Sequence, residues 1–500
     1  MYQIYIPKRL VFMPQSVKAN YILNLINSRT QMLFPLITFP YACRVIQADG
    51  IGQVNFFSSI IGYISLFTAL GIPMYGIREI ARDRNNVVKM NRTAVEILLL
   101  HMLLTVLGYI AVAILCLTVP QVKADIHLFW VLSLTIFFTT IGCEWFYQGI
   151  EDFKYITVRG LIVKSISMLL LFAFVKTKDD LIYYGWYTVI GILGGNIFNF
   201  FRLRKYINKD NIVFSNLNTA RHLKPVLQVF SFSIVTSIYL QLNPVLLGFM
   251  KSTLAVGYFT AATKLMMMIM RLSSCLGAVM MPRVSNLLAE NQMDEFKVLI
   301  QKSYDFTLAI ALPLTVGMFW GAPCIVRILC GDEFIPSILS SQIIAPIILM
   351  VSISNVMGIQ VLYPKGKINL VIQSCLIGAI TDLILNICLI PSFSYEGTAI
   401  AYLGAEVVTT VSMYFIGKKY LPISFFKRLH LNYLGGCVVM SIVLILISQF
   451  VYFSDTLILM LQVFIGIAVY GGYLWACKDP FIMQALSKIC LLYTSPSPRD

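Results

Sequence analysis

The 500-residue chain is 58% hydrophobic and only 12% charged, against roughly 45–50% and about 25% in soluble globular domains. Its formal net charge is +15, but the cations sit in short connections between apolar runs, a pattern that orients membrane segments and does not read nucleic acid. A disordered chain, a disulfide scaffold and a soluble enzyme on a single anchor are excluded, and an all-α integral membrane protein is expected.

A bilayer core of about 30 Å takes about 20 apolar residues per helix. Fourteen such segments are predicted, at 20–40, 53–75, 93–119, 126–147, 156–175, 181–203, 226–249, 255–281, 304–329, 336–361, 368–391, 396–417, 431–453 and 456–477. If the N-terminus is cytoplasmic, the positive-inside pattern holds along the whole chain. Only Arg44, Lys123, Lys176, Lys178, Lys251 and Arg327 then fall on the opposite side. Both ends are therefore expected in the cytoplasm. The tail Thr494-Ser-Pro-Ser-Pro-Arg-Asp500 shifts abruptly in composition and reads as a non-native scar, and residues 1–12 as an upstream extension before Met13.

An internal repeat is visible. Gly52 and Asn55-Phe-Phe-Ser-Ser open the second segment, with Leu70-Gly71, Pro73 and Arg78 closing it; Gly257 and Tyr-Phe-Thr-Ala-Ala open the eighth, closed by Leu276-Gly277, Pro282 and Arg283. Two parallel six-helix halves would place these elements equivalently, although such punctuation is common in transporters. The expected organisation is an N-terminal cytoplasmic segment (1–16), a six-helix bundle (17–205), a cytoplasmic linker (206–225), a second six-helix bundle (226–419), two additional helices (430–477) and a tail (478–493).

Charged residues inside the bilayer cost about 2.5–3.5 kcal/mol on insertion scales, so they face a cavity or a partner. Four cations qualify: Arg29, Lys164, Lys264 and Arg271. Lys264 and Arg271 are seven apart and share a helical face with Met268, on a segment that also carries Met266, Met267, Met270, Met280 and Met281. A cavity lined by these cations would bind an anion, phosphate above all; snorkelling or pairing with a carboxylate is the alternative. Asp382, Glu406 and Glu144 are the carboxylates suited to proton or sodium coupling, or to structural pairing with those cations. Asn24, Asn199, Gln241 and Asn243 could line the same cavity or bond between helices.

No phosphate-binding G-x-x-x-x-G-K-[ST] loop and no H-E-x-x-H motif occurs. Four scattered histidines and eleven cysteines without a C-x-x-C pair give no metal spacing. No cofactor is expected, and the chain is not read as an enzyme.

The stretch Trp145-Phe-Tyr-Gln-Gly-Ile-Glu-Asp-Phe-Lys-Tyr-Ile-Thr-Val-Arg159 closely resembles the W-x-x-Q-G-x-E-x-[FY]-K-x-I-x-x-R segment of the Wzx-like polysaccharide (O-antigen and teichoic-acid) flippases, within the multidrug/oligosaccharidyl-lipid/polysaccharide exporter group. Phe39-Pro-Tyr with Arg44, Gly50-x-Gly52, Gly71-x-x-x-x-Gly-x-Arg-Glu-Ile-Ala81, Tyr258-Phe-Thr-Ala-Ala-Thr-Lys264 and Met281-Pro-Arg283 support it, so that the likeness covers about 17–480. The resemblance implies a MATE-like pair of bundles in a bacterial inner membrane. The implied cargo is an oligosaccharide on undecaprenyl pyrophosphate, with a polysaccharide polymerase and chain-length regulator as partners and no nucleic acid. It further implies gate or loop roles for Arg44, Arg78, Gln148, Gly149, Glu151, Lys154 and Arg159. A cation-coupled multidrug exporter and a lipid II flippase share the expected architecture and are the competing readings.

Overall fold

The computed structural model describes residues 17–207, 217–450, 453–480, 482 and 483; side chains are described outside 17–33, 231–240, 272, 274–279, 281 and 282. Every regular element among these residues is helical. The helices are α1 (Val17–Ala69), α2 (Ile72–Asp83), α3 (Val87–Thr118), α4 (Pro120–Ala124), α5 (Ile126–Gly142), α6 (Glu144–Gly149), α7 (Phe153–Phe174), α8 (Leu181–Leu193), α9 (Gly195–Leu203), α10 (Ala220–Met250), α11 (Thr253–Ala289), α12 (Met293–Leu329), α13 (Ser337–Ile344), α14 (Ile347–Asn355), α15 (Ile368–Gly417), α16 (Arg428–Phe450) and α17 (Asp455–Ala476), with a π-helical stretch at Val356–Leu362.

Hydrocarbon cannot satisfy backbone N–H and C=O groups, so a lipid-facing segment must close its hydrogen bonds internally, as a helix does. The burial pattern of α3 shows the consequence. Leu103, Val106, Leu107, Ile110, Ile114 and Leu117 form an exposed apolar stripe at helical spacing, while Ile97, Leu100, His101, Thr105, Gly108 and Val112 are buried on the opposite face. A soluble helix has the reverse polarity. Helices start at polar caps in the connections: the side chains of Asn86, Asp125, Asp152 and Ser252 each accept an N–H of the first turn.

Among the described residues ten helices are long and apolar enough to cross a membrane, and the bent pair α8–α9 makes an eleventh. The fourteen expected segments collapse to this count chiefly because two helices each carry two of them. Gln47 (φ 65°, ψ 179°) interrupts α1 between the first and second segments, and Ser394 (φ 52°, ψ −129°) interrupts α15 between the eleventh and twelfth. Around Ser394 the chain folds back on itself, for a Cβ on Gly397 would lie 2.6 Å from the carbonyl oxygen of Leu389, a residue two helical turns earlier. The expected 226–249 segment lies on α10, and its side chains at 231–240 fall outside the described residues.

The chain divides into two compact units. Of the described residues, the first comprises 17–38, 64–175, 182–207 and 217–231. Its core gathers Ile72, Tyr75, Ile80, Met90, Ile97, Trp145, Phe146 and Tyr147 where α2, α3, α6 and α10 pack. The second comprises 39–63, 176–181 and the described residues from 232 onward, so residues 39–63, counted in the first half by the repeat, pack with the later helices. Within it the repeat acquires a geometric meaning. A Cβ on Gly52 would sit 1.8 Å from the Thr253 carbonyl oxygen, and one on Gly257 1.8 Å from that of Ala48. One turn on, Asn55 Nδ2 donates to Thr260 Oγ1 at 2.8 Å. Residues 205 apart in sequence thus face each other across a helix crossing that admits only glycine.

Candidate transport site and its supporting charges

Lys264 and Arg271 are both exposed on α11, two turns apart and within electrostatic range of each other. Their neighbours differ in role: Met266 is fully buried core, whereas Met267, Met268 and Met270 are half-buried. The helix is therefore packed on one side and offers cations beside flexible thioethers on another. Lys164 lies on α7 in the first unit, half-buried. The side chain of Arg29, on α1, lies outside the described residues, as does that of Asn24.

The expected coupling carboxylates separate into two groups. Asp382 and Asn386, both fully buried, sit one turn apart on a polar row of α15 that begins with Ser374 and Gly378. Asn386 Nδ2 donates to Asn243 Oδ1 (2.7 Å) and to Asp382 Oδ1 (3.1 Å). Asp382 Oδ2 and Asn386 Oδ1 remain buried acceptors without a protein donor. Glu406, after the Ser394 break, is also buried and within electrostatic range of Asp382. Glu144 belongs elsewhere. It opens α6 in the first unit and accepts Arg159 Nη2 at 3.2 Å, a cation outside the four weighed as its partners in the sequence.

The Trp145–Arg159 signature forms the α6–α7 corner. Trp145 lies flat on Gly76, where a Cβ would come within 2.7 Å of its ring, and Gly149 is pressed against Ile80. Tyr147 Oη donates to the Asn199 carbonyl at 2.6 Å. Gln148 supplies a carbonyl to the N–H of Glu151, which adopts a left-handed φ of 61° and pairs with Arg84 at 2.6 Å. These residues build the corner. Lys154 is exposed beside it, and Arg78 is exposed beside Glu79, over the Tyr75 ring. Arg44 is also exposed and donates to the Ile328 carbonyl at the end of α12, while the Ala48 N–H donates to Glu333 (3.1 Å).

Two ionic clusters were not foreseen from sequence. Glu96 is completely buried; it accepts from Arg92, Arg221, His222 and the Asn218 backbone N–H. The second ring nitrogen of His222 meets Tyr75 Oη at 2.6 Å. In the other unit Asp305 binds His430 (2.9 Å) and Lys427 (3.3 Å). Histidines 222 and 430 have no spacing that signals these partners, which come from segments more than a hundred residues away.

Long helices with exposed apolar faces and buried Asp, Asn and Glu define a polytopic membrane protein. The model of the polysaccharide biosynthesis protein family matches residues 17–288, and the chain belongs to that family. It is 26% identical over 401 residues to a protein of Shigella dysenteriae assigned as an O-antigen transporter, covering 79% of this chain and 99% of that one. A glycan-biosynthesis flippase assignment, Agl15 of Haloferax volcanii, is 24% identical over 47% of this chain and 50% of the relative. Among solved structures the lipid II flippase MurJ in an inward closed conformation superposes with a TM-score of 0.65 over 90% of this chain and 98% of that one, at 16% identity. An inward-facing multidrug MATE transporter does so with 0.63 over 80% and 98%, at 15% identity. The fold is that of these flippases and exporters, in agreement with the resemblance found in the sequence.

Proposed function

We propose that the protein carries an undecaprenyl-pyrophosphate-linked oligosaccharide from the cytoplasmic to the outer leaflet of the bacterial inner membrane by alternating access. The carrying observation is the pair Lys264 and Arg271, exposed on one face of α11 in an otherwise apolar segment. Two cations within a membrane span mark a cavity or a substrate path, and a pyrophosphate offers them several acceptor oxygens. The O-antigen and glycan assignments of the relatives support a sugar-bearing cargo. Both termini lie in the cytoplasm on this reading, and a polymerase and chain-length regulator would act on the delivered units.

Asp382, Asn386 and Glu406 form the coupling site. The two acceptor oxygens left without donors suit a proton or a sodium ion whose occupancy biases one conformation. That same acidic cluster is the feature a cation-coupled drug exporter would share.

The test is made in the host. Deleting the gene should abolish surface glycan and accumulate lipid-linked oligosaccharide at the cytoplasmic face, with mass spectrometry identifying the cargo. Wild-type chain should restore the glycan, whereas Lys264→Gln/Arg271→Gln should insert normally and restore less than about a tenth, a loss of about 1.4 kcal/mol or more in cargo binding. Normal glycan in the double variant defeats the anion reading; unchanged glycan with altered drug tolerance in the deletion strain selects the exporter.

A further inference from the structure

Transport as described above makes no use of a cavity of 480 Å³ in the first unit, between α7 and α9. Asp152, Lys154, Tyr155 and Arg159, at the start of α7, and Arg202, near the end of α9, line one part of it; Val158, Ile162, Val163 and Phe198, further along the two helices, line the rest. The two ends differ in chemistry. Arg202 is fixed by Asp152 at 2.7 Å and stacks on the Tyr155 ring at 3.7 Å. Glu144 engages one nitrogen of Arg159, leaving Nε and Nη1 buried without a partner. Three cations therefore outnumber the two carboxylates that touch them.

The other end is hydrocarbon. Val158, Ile162 and Phe198 are 45%, 54% and 58% exposed, and the α7 stripe continues through Ile166 and Leu169. From Val158 to Leu169 the helix rises about 16 Å, close to half of a bilayer core of about 30 Å. A positively charged pocket at the end of an apolar stripe matches a molecule with the same division.

We propose that this cavity binds an anionic glycerophospholipid, its phosphate between Lys154 and Arg202 and one acyl chain along Val158, Ile162 and Ile166. The Val158–Leu169 stretch of this stripe, which runs on to Phe174, is as long as one acyl chain of an ordinary phospholipid. The positive-inside topology puts the site in the cytoplasmic leaflet. The family-signature residues Lys154 and Arg159 thereby acquire a ligand: the corner built by Trp145, Tyr147 and Gly149 sets the first turn of α7 against α9 so that cations from both helices meet one headgroup.

The experiment uses the purified full chain, stripped of lipid in detergent and titrated with phosphatidylglycerol or with phosphatidylcholine of the same acyl chains, retained lipid being counted by native mass spectrometry. Phosphatidylglycerol should be held at least about fivefold better. Lys154→Gln should weaken it about fivefold, since one cation near a membrane surface contributes about 1 kcal/mol; Lys154→Arg should not. Ile162→Trp, which fills the track and leaves every charge in place, should also weaken retention. Equal retention of the two lipids, or full retention in both Lys154→Gln and Ile162→Trp, overturns the proposal. Displacement by millimolar inorganic phosphate would make this a free-anion site, and displacement by equimolar undecaprenyl phosphate would assign it to the polyprenyl carrier; either overturns the glycerophospholipid assignment. Because the readout is lipid retention, its failure leaves the Lys264/Arg271 reading intact, and the converse holds.

Discussion

His222 lies at the start of α10, held between Tyr75 and Glu96 with Arg221 beside it. Burial lowers its pKa from the ordinary 6.5, and this outweighs the opposing pull of Glu96. The unfolded chain therefore binds the proton more readily than the folded one, and stability rises with pH through this window. On acidification, stability should begin to fall as the pH passes 6.5 and level off below the lowered folded value. Thermal unfolding between pH 7.5 and 5.5 should show the decline, and His222→Gln, which keeps a donor and an acceptor at the site, should flatten it. An equally steep decline in the variant would move the proton to another group. Neither the burial of Glu96 nor its partners could be read from the sequence, because an isolated Glu near a helix end looks the same whether it is solvated or clamped by residues 218–222.

At the scale of elements, two helices cross where backbone meets backbone. Gly52→Leu or Gly257→Leu would drive a side chain into the Thr253 or Ala48 carbonyl, and overpacking of this kind costs about 1–3 kcal/mol. Each variant should melt at lower temperature than wild type and yield less inserted protein; a Gly257→Leu protein with unchanged melting would show that the crossing opens freely. The hairpin breaks at Gln47 and Ser394 fall close to the borders drawn from hydropathy, yet no glycine or proline stands at either one. A non-glycine residue at positive φ is an uncommon solution that tertiary packing imposes, so the two segments on each side were legible while their fusion into one interrupted helix was not. The seven-residue spacing of Lys264 and Arg271 survived because a helical face is a local property. Convergence with Lys164 and Arg29 depended on long-range packing, and Lys164 belongs to the other unit.

For the whole molecule, the positive-inside alternation and the polar inner faces carried the class of protein, because insertion into a bilayer leaves its mark on every segment of the sequence. The site required distant neighbours: Asn243 reaches Asn386 across 143 positions, and Cys43 meets Cys330 across nearly three hundred. On the proposed alternating-access cycle, that last contact offers a place to lock the protein. The Cys43 and Cys330 thiols are buried and hydrogen-bonded to one another, close to where Arg44 grips the end of α12. Diamide, taking two protons and two electrons, should join them and reduce glycan delivery by about tenfold or more, and a thiol reductant should restore it. Transport unaffected by a cross-link verified on a gel would mean that this end of the molecule stays closed throughout the cycle.

The crossing of Gly52 and Gly257 also bears on how such a chain can change over generations. If the halves descend from one duplicated unit, the ancestral protein had a single glycine that met its own copy from a second molecule, and any substitution there struck both sides of the contact at once. Fusion turned one genetic position into two without moving the atoms apart. Each glycine can now mutate alone, but neither is relieved by its twin, since the carbonyl it faces belongs to the neighbouring backbone and cannot be mutated away. Asn55 and Thr260, the pair one turn further on, use side chains instead, and there the two descendants have already diverged.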